Sequence, residues 1–209
     1  FTTTSNEAGG AFGMFNLATI GVLAGSFFGL IFPGRRVRPT DPFLFQCPFL
    51  LASDIGTSQF DPDEVLALRA YFEKGGFLWV DDFWGERAWE VWVEQISRIL
   101  PPGEYPIEDV PMSHPLWRTL FEVKGLPQIP AISHWRRSGG ETSERGLESA
   151  VPDIRAINDR HGRIMVLMTH DTDISDSWER EGEEPEFFYQ FSPNGYALAI
   201  NAVIYAMTH

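Results

Sequence analysis

Residues 48–80 constrain the fold more than any other stretch. The segment PFLLAS (48–53) is a short apolar run that opens into Asp54-Ile55-Gly56-Thr57, as a buried parallel strand opens into a loop. Asp61-Pro62-Asp63-Glu64 follows, with an acid at the N-cap, proline at the first helical position and a capping-box glutamate. A helix therefore starts here and runs to the Gly75-Gly76 stop, burying Val65, Leu68, Ala70 and Phe72. A second apolar run, FLWV (77–80), ends in Asp81-Asp82. Strand, helix and strand in this order form a right-handed crossover unit of a parallel sheet, which sets the class as α/β.

The rest of the chain extends this unit. Residues 87–100 space Trp89, Val93, Ile96 and Leu100 at helical intervals and stop at Pro101-Pro102. RIMVLMT (163–169) is the clearest later strand and finishes in His170-Asp171-Thr172-Asp173. Residues 193–208 have helix-like apolar spacing and are expected to close one face of the sheet. Between them, residues 103–152 are rich in Pro, Gly, Ser and charge and read as long loops with one short strand and one helical turn.

Ahead of this domain, residues 11–32 carry no charge over 22 positions, with Asn16, Thr19 and Ser26 as the polar breaks. As a helix the run would span about 33 Å, close to the ~30 Å hydrocarbon layer of a bilayer, so a single membrane-spanning helix is expected. Gly21, Gly25 and Gly29 recur every fourth residue and place a close-packing stripe on it. Arg35, Arg36 and Arg38 flank its C-terminal end, which by the positive-inside tendency puts the following domain in the cytoplasm. The competing reading makes the run a buried strand or core helix of the domain itself. The expected organisation is a tail at 1–10, a membrane helix at 11–32, a basic linker at 33–40 and the α/β domain at 41–209. The chain opens on Phe1 rather than Met, so a segment ahead of it is expected to be missing here.

The formal net charge of −13 opposes a phosphate-backbone ligand, so nucleic acid is not an expected partner. One cysteine, Cys47, excludes an internal disulfide framework and a multi-cysteine zinc site.

Several passages resemble one bacterial family of domains of unassigned function, the 4159 family. They are SDIGT (53–57), LRAYFEKGGFLWVDDFWG (68–85), SHPLW (113–117), MTHDTDISDSWE (168–179) and the ending NAVIYAMTH. The resemblance covers roughly residues 41–209 and implies a class I glutamine amidotransferase-like fold, a flavodoxin-like parallel sheet between helix layers. It also implies export, which conflicts with the arginine flank. Members generally begin with a hydrophilic, strand-containing stretch, and this chain departs from that before Arg38.

In open parallel sheets ligands bind beyond the carboxyl ends of the strands. Those ends carry Asp54, Asp81, Asp82, His170, Asp171 and Asp173, which converge on one edge if the three strands are neighbours. Carboxylates with one imidazole suit a small polar ligand, a divalent cation or acid-base chemistry. The competing reading is loop chemistry, in which aspartates satisfy backbone donors at turns and caps. Amidotransferases of this fold place a cysteine nucleophile at a sharp strand-to-helix turn. Here that type of position holds Asp81-Asp82-Phe83, Cys47 lies before a strand, and neither Ser53 nor Ser113 sits in a glycine-flanked elbow. No catalytic residue, metal ligand or cofactor is therefore assigned. Of the aromatic residues, Phe83-Trp84 follows a strand and reads either as an exposed contact surface or as a loop folded back onto the domain. The polar loop 136–148 is expected to be solvated unless a partner orders it.

Three functions follow as expectations. The first is a non-enzymatic structural or interaction module, an accessory subunit of a larger membrane protein complex in contact with the bilayer. The second is a ligand- or metal-binding enzyme-like domain using the strand-end acids and His170. The third is a soluble sensor or carbohydrate-related binding protein.

Overall fold

The computed structural model describes residues 15–16, 36–179 and 182–209. The elements in order are β1 (Phe15–Asn16), β2 (Arg36–Val37), β3 (Phe49–Ser53), α1 (Pro62–Glu73), β4 (Phe77–Asp81), α2 (Gly85–Ile99), β5 (Ile107–Asp109), α3 (Ile132–Ser138), β6 (Asp153–Asn158), β7 (Ile164–His170), α4 (Asp176–Glu179) and α5 (Pro185–Thr208). The sheet order is β2-β1-β3-β4-β7-β6-β5. Strands β3, β4 and β7 run parallel, while β6 and β5 on one side and β1 and β2 on the other are antiparallel. The expected parallel sheet is thus a parallel centre with antiparallel flanks. A mixed α/β fold is what these elements make.

The central strands are buried on both faces, which is why they read as continuous apolar runs rather than as alternation. Leu50, Ala52, Leu78, Val80, Val166 and Met168 face one core, closed by α1 and α2 through Leu68, Phe72, Trp92 and Ile96. Phe49, Leu51, Phe77, Trp79, Ile164 and Leu167 face the other, closed by α5 through Phe187, Leu198, Ala199, Ala202 and Tyr205. Helix α1 begins as its sequence dictates. The Asp61 carboxylate accepts from Glu64 N at 2.8 Å, and the Glu64 carboxylate accepts from Asp61 N at 3.0 Å.

Two expectations need correction. The last helix starts at Pro185 rather than at residue 193, and Pro193 lies inside it. Both prolines suit a first helical turn, and the apolar residues Phe187 and Phe191 carry the helix back to the earlier one. The missing N–H of Pro193 leaves the carbonyl of Tyr189 without its helical donor, and Tyr189 is exposed, so water can supply one. The second correction concerns residues 11–32. Phe15 and Asn16 belong to β1, pairing with Val37 and Arg36, and Asn16 also pairs with Leu51, so a helix over that whole run does not include them. The rest of the expected span, with Gly21, Gly25, Gly29 and Arg35, lies outside the described residues. No described helix is long and apolar enough to cross a membrane.

Candidate functional site

Strand register decides which side chains meet. Ser53 of β3 is level with Asp81 of β4, and Val80 of β4 with Met168 of β7, so the three parallel strands end side by side. The residue immediately after each strand is an aspartate with left-handed backbone: Asp54 (φ 56°), Asp82 (φ 55°) and Asp171 (φ 59°). These are the non-glycine residues with positive φ among those described. Aspartate tolerates this region better than most residues, and here each chain reversal is laced to its neighbour. Asp54 N donates to Asp82 O, Asp82 N to Thr172 O and Asp171 N to Phe83 O, at 3.1, 3.2 and 3.0 Å. The sequence-predicted acids and His170 therefore do converge on one edge.

Most of their side chains hold loops. Asp81, fully buried, accepts from the Thr169 hydroxyl at 2.6 Å and from Ser175 N at 2.9 Å. Thr169 Oγ1 in turn accepts from Trp79 Nε1 at 2.8 Å, so one hydroxyl joins a core indole to the acid. Asp173 accepts from Ser175 Oγ and Asp176 N and thereby starts α4. Asp82 accepts from Ser53 Oγ at 3.2 Å and Trp84 Nε1 at 3.1 Å. Asp54 is exposed and makes no side-chain cap bond. Asp176, which the sequence reading passed over, joins the group by accepting from Ile132 N at 2.9 Å.

Crowding of buried carboxylates raises their pKa values. Burial lifts Asp81 to about 7. Burial, followed by the charge of Asp81 beside it, lifts Asp82 to about 8. Asp173 is pushed well above the carboxylate range by burial and then by the charges of Asp82, Asp176 and Asp81. Burial also raises Asp171, and the partial desolvation left to the exposed Asp54 raises it too.

His170 sits in a separate pocket of aromatic rings. Its ring lies 4.8 Å from that of Phe83 and 5.3 Å from that of Trp89, and the Arg155 guanidinium stacks on Trp89 at 4.3 Å. Its Nε2 lies 3.2 Å from Gly85 O, and its Nδ1 lies 3.2 Å from Asp153 Oδ2 and 3.4 Å from Asp171 Oδ2. The antiparallel register sets Asp153 opposite His170, which brings in a residue that the sequence reading did not name.

No cysteine reaches this edge. Cys47 is buried near the start of β3, and its thiol donates to Phe43 O at 3.4 Å. At the strand-to-helix turn after β4 stands Asp82, followed by Phe83 and Trp84, both buried, so this loop folds back onto the domain. The Glu148 carboxylate accepts from Glu86 N at the start of α2, and near it in the chain Leu147 and Val151 are 97% and 78% exposed. A cleft of about 790 Å³ lies at the opposite end of the sheet, lined by Arg69, Glu73, Tyr105, Asp159 and Arg163, and takes in none of the predicted residues.

The model of a family described as a domain of unknown function (DUF4159) matches residues 33–207. No curated protein matches the chain.

Proposed function

The chain belongs to the DUF4159 family, and we propose that it is a non-catalytic interaction module, an accessory subunit docked on a larger membrane protein complex. The observation that carries this reading is the employment of the strand-end acids. Asp81, Asp82, Asp173 and Asp176 accept hydrogen bonds from the loops around them, as structural aspartates do, and the turn where a nucleophile would stand holds Asp82 and buried Phe83. Large apolar side chains are exposed instead, among them Leu147, Val151, Leu120, Tyr189 and Met207. The layered arrangement around parallel β3, β4 and β7 supports an amidotransferase-like reading of the fold, from which the antiparallel flanks depart. Fold and chemistry are separable, so a scaffold of this type without its nucleophile is free to serve as a docking body.

The apolar run at residues 11–32 is the proposed membrane contact. Its ends bear on how it attaches, because Phe15 pairs with Val37 and Asn16 with Arg36. Native membranes washed with carbonate, then solubilised gently, test the proposal. Retention through the wash and co-purification with a stoichiometric set of membrane proteins is the expected result. Release of the chain alone, with no partner in fixed ratio, overturns it. Protease protection of tagged residues 1–10 and 209 in sealed vesicles then distinguishes a single crossing, with opposite protection, from insertion on one side.

A further inference from the structure

We propose that Asp153, His170 and Asp171 bind a divalent transition-metal ion, with zinc as the best fit. This site stands independently of the docking reading above. One ligand atom from each residue falls within 4.8 Å of the others. The separations around His170 Nδ1 are 3.2 Å to Asp153 Oδ2 and 3.4 Å to Asp171 Oδ2. Ligands at zinc distances of about 2.0–2.1 Å, held at tetrahedral angles, stand about 3.4 Å apart. The two measured edges match that figure.

Hydrogen-bond polarity supplies a second, independent argument. The partner of His170 Nε2 is the carbonyl of Gly85, which can only accept, so Nε2 carries the proton. In the neutral ring Nδ1 then presents a lone pair, and it faces two carboxylate oxygens. Asp171 is 4% exposed, its Oδ1 accepts from Gly85 N at 2.7 Å, and its Oδ2 faces His170 Nδ1 at 3.4 Å. Two carboxylate oxygens and that lone pair, facing one another at these distances, call for a positive centre between them.

The surroundings are those that position metal ligands. A ligating histidine ordinarily donates its other N–H to a carbonyl or carboxylate, and ligating carboxylates are themselves hydrogen-bonded. Gly85 does both here, fixing the imidazole through its O and Asp171 through its N. Arg155 Nε lies 3.2 Å from Asp153 Oδ1 as an ion pair that makes no hydrogen bond to that oxygen, and Oδ2 is the oxygen that faces the site. Phe83 and Trp89 fix the ring plane of His170. With about a third of its side chain exposed, Asp153 opens the site to solvent, so an ion can enter and a water can complete the tetrahedron. One nitrogen and two carboxylate oxygens suit zinc or manganese better than copper(I), which favours sulfur, or magnesium, which favours oxygen alone.

The full chain, stripped with a chelator, is titrated with zinc chloride, and bound metal is counted after gel filtration. The expected result is one zinc per chain, with X-ray absorption reporting a nitrogen and oxygen shell that contains a single imidazole. Asp153→Asn and His170→Gln should each weaken zinc binding about tenfold or more, whereas His161→Gln and His209→Gln should leave it unchanged. The absorption spectrum of the unsubstituted chain keeps the test open if a variant fails to fold. Failure to retain zinc, a shell with two or more imidazoles, or unaltered binding in both folded site variants overturns the proposal. A proton on Nδ1 would fill the same gap between the acceptors, and the first of these outcomes is the one it produces.

Discussion

Gly195, midway along α5, sets two physical effects against each other. Glycine inside a helix costs roughly 1 kcal/mol relative to alanine, so propensity alone predicts that Gly195→Ala stabilises the protein. Packing predicts the reverse. A Cβ built at Gly195 falls inside the van der Waals envelope of Ser177 Oγ and Cβ, and 3.2 Å from Ile129 Cδ1. Ser177 cannot yield easily, since its hydroxyl donates to Ile174 O at 2.7 Å and its carbonyl accepts from Ser192 Oγ. Overpacking of a buried site costs about 1–3 kcal/mol, and displacing the Ser177 hydroxyl forfeits a hydrogen bond worth about 1 kcal/mol. Against the gain of roughly 1 kcal/mol from propensity, the net expectation is a loss of about 1–3 kcal/mol. For a domain of this size that lowers Tm by roughly 2–4 °C per kcal/mol. Calorimetry on the single variant and on Ser177→Gly/Gly195→Ala checks the account, because removing the Ser177 side chain should restore part of the lost Tm. A Tm that is unchanged or raised in Gly195→Ala refutes the packing argument, and so does a double variant no more stable than the sum of its parts.

Two further outcomes follow from the same geometry. Asp81 and Asp82 have folded-state pKa values raised to about 7 and about 8, so between pH 4 and 8 these two groups hold more protons in the folded chain than in the unfolded one. Their stabilisation is fully present below the ordinary carboxylate pKa and is lost as pH rises through 7 and 8. Urea midpoints should therefore fall from pH 5 to pH 8.5, less steeply in Asp82→Asn, and a rising midpoint would contradict this. Asn201 holds the loop before α3 with three bonds, accepting from Leu120 N and Phe121 N and donating to Phe121 O. Asn201→Ala should cost roughly 1–3 kcal/mol and speed hydrogen exchange at the Leu120 and Phe121 amides, and unchanged exchange there would show that the loop is held by other contacts.

How much of this was legible in the sequence depends on whether the deciding signal was local. The crossover unit from β3 to β4 was, because Asp61, Pro62 and Glu64 state the helix start and Gly75-Gly76 its end within a few residues. That Asp54, Asp82 and His170 lie along one edge of the sheet was legible as a conditional, since parallel neighbours bring like ends together. Strand β6 was not. DIRAIN carries charge at Asp153 and Arg155 and alternates weakly, so it merges with the loops ahead of it. Its antiparallel pairing reverses the rule for which residues share an edge, bringing the first residue of β6 to the last of β7. No reading that collects strand ends alone could have found Asp153. The burial of Phe83 was non-local in part, since His170 packs on its ring, whereas Trp89 on Phe83 and Asp82 on Trp84 come from nearby in the chain.

The two readings of the strand-end acids, loop chemistry and ligand chemistry, also prove not to be alternatives at the level of single atoms. An aspartate has two oxygens, and a left-handed turn needs only one of them. At Asp81 each oxygen accepts one bond from the surrounding loops, from Thr169 and Ser175, and at Asp82 each accepts one, from Ser53 and Trp84. At Asp171 the division is different. Oδ1 closes the turn on Gly85 N, and Oδ2 is turned toward His170 Nδ1 rather than toward a loop amide. The same residue can thus anchor the fold and contribute to a site. Of the six strand-end residues named from the sequence, the two joined by Asp153 are the ones whose remaining valences point at a common centre.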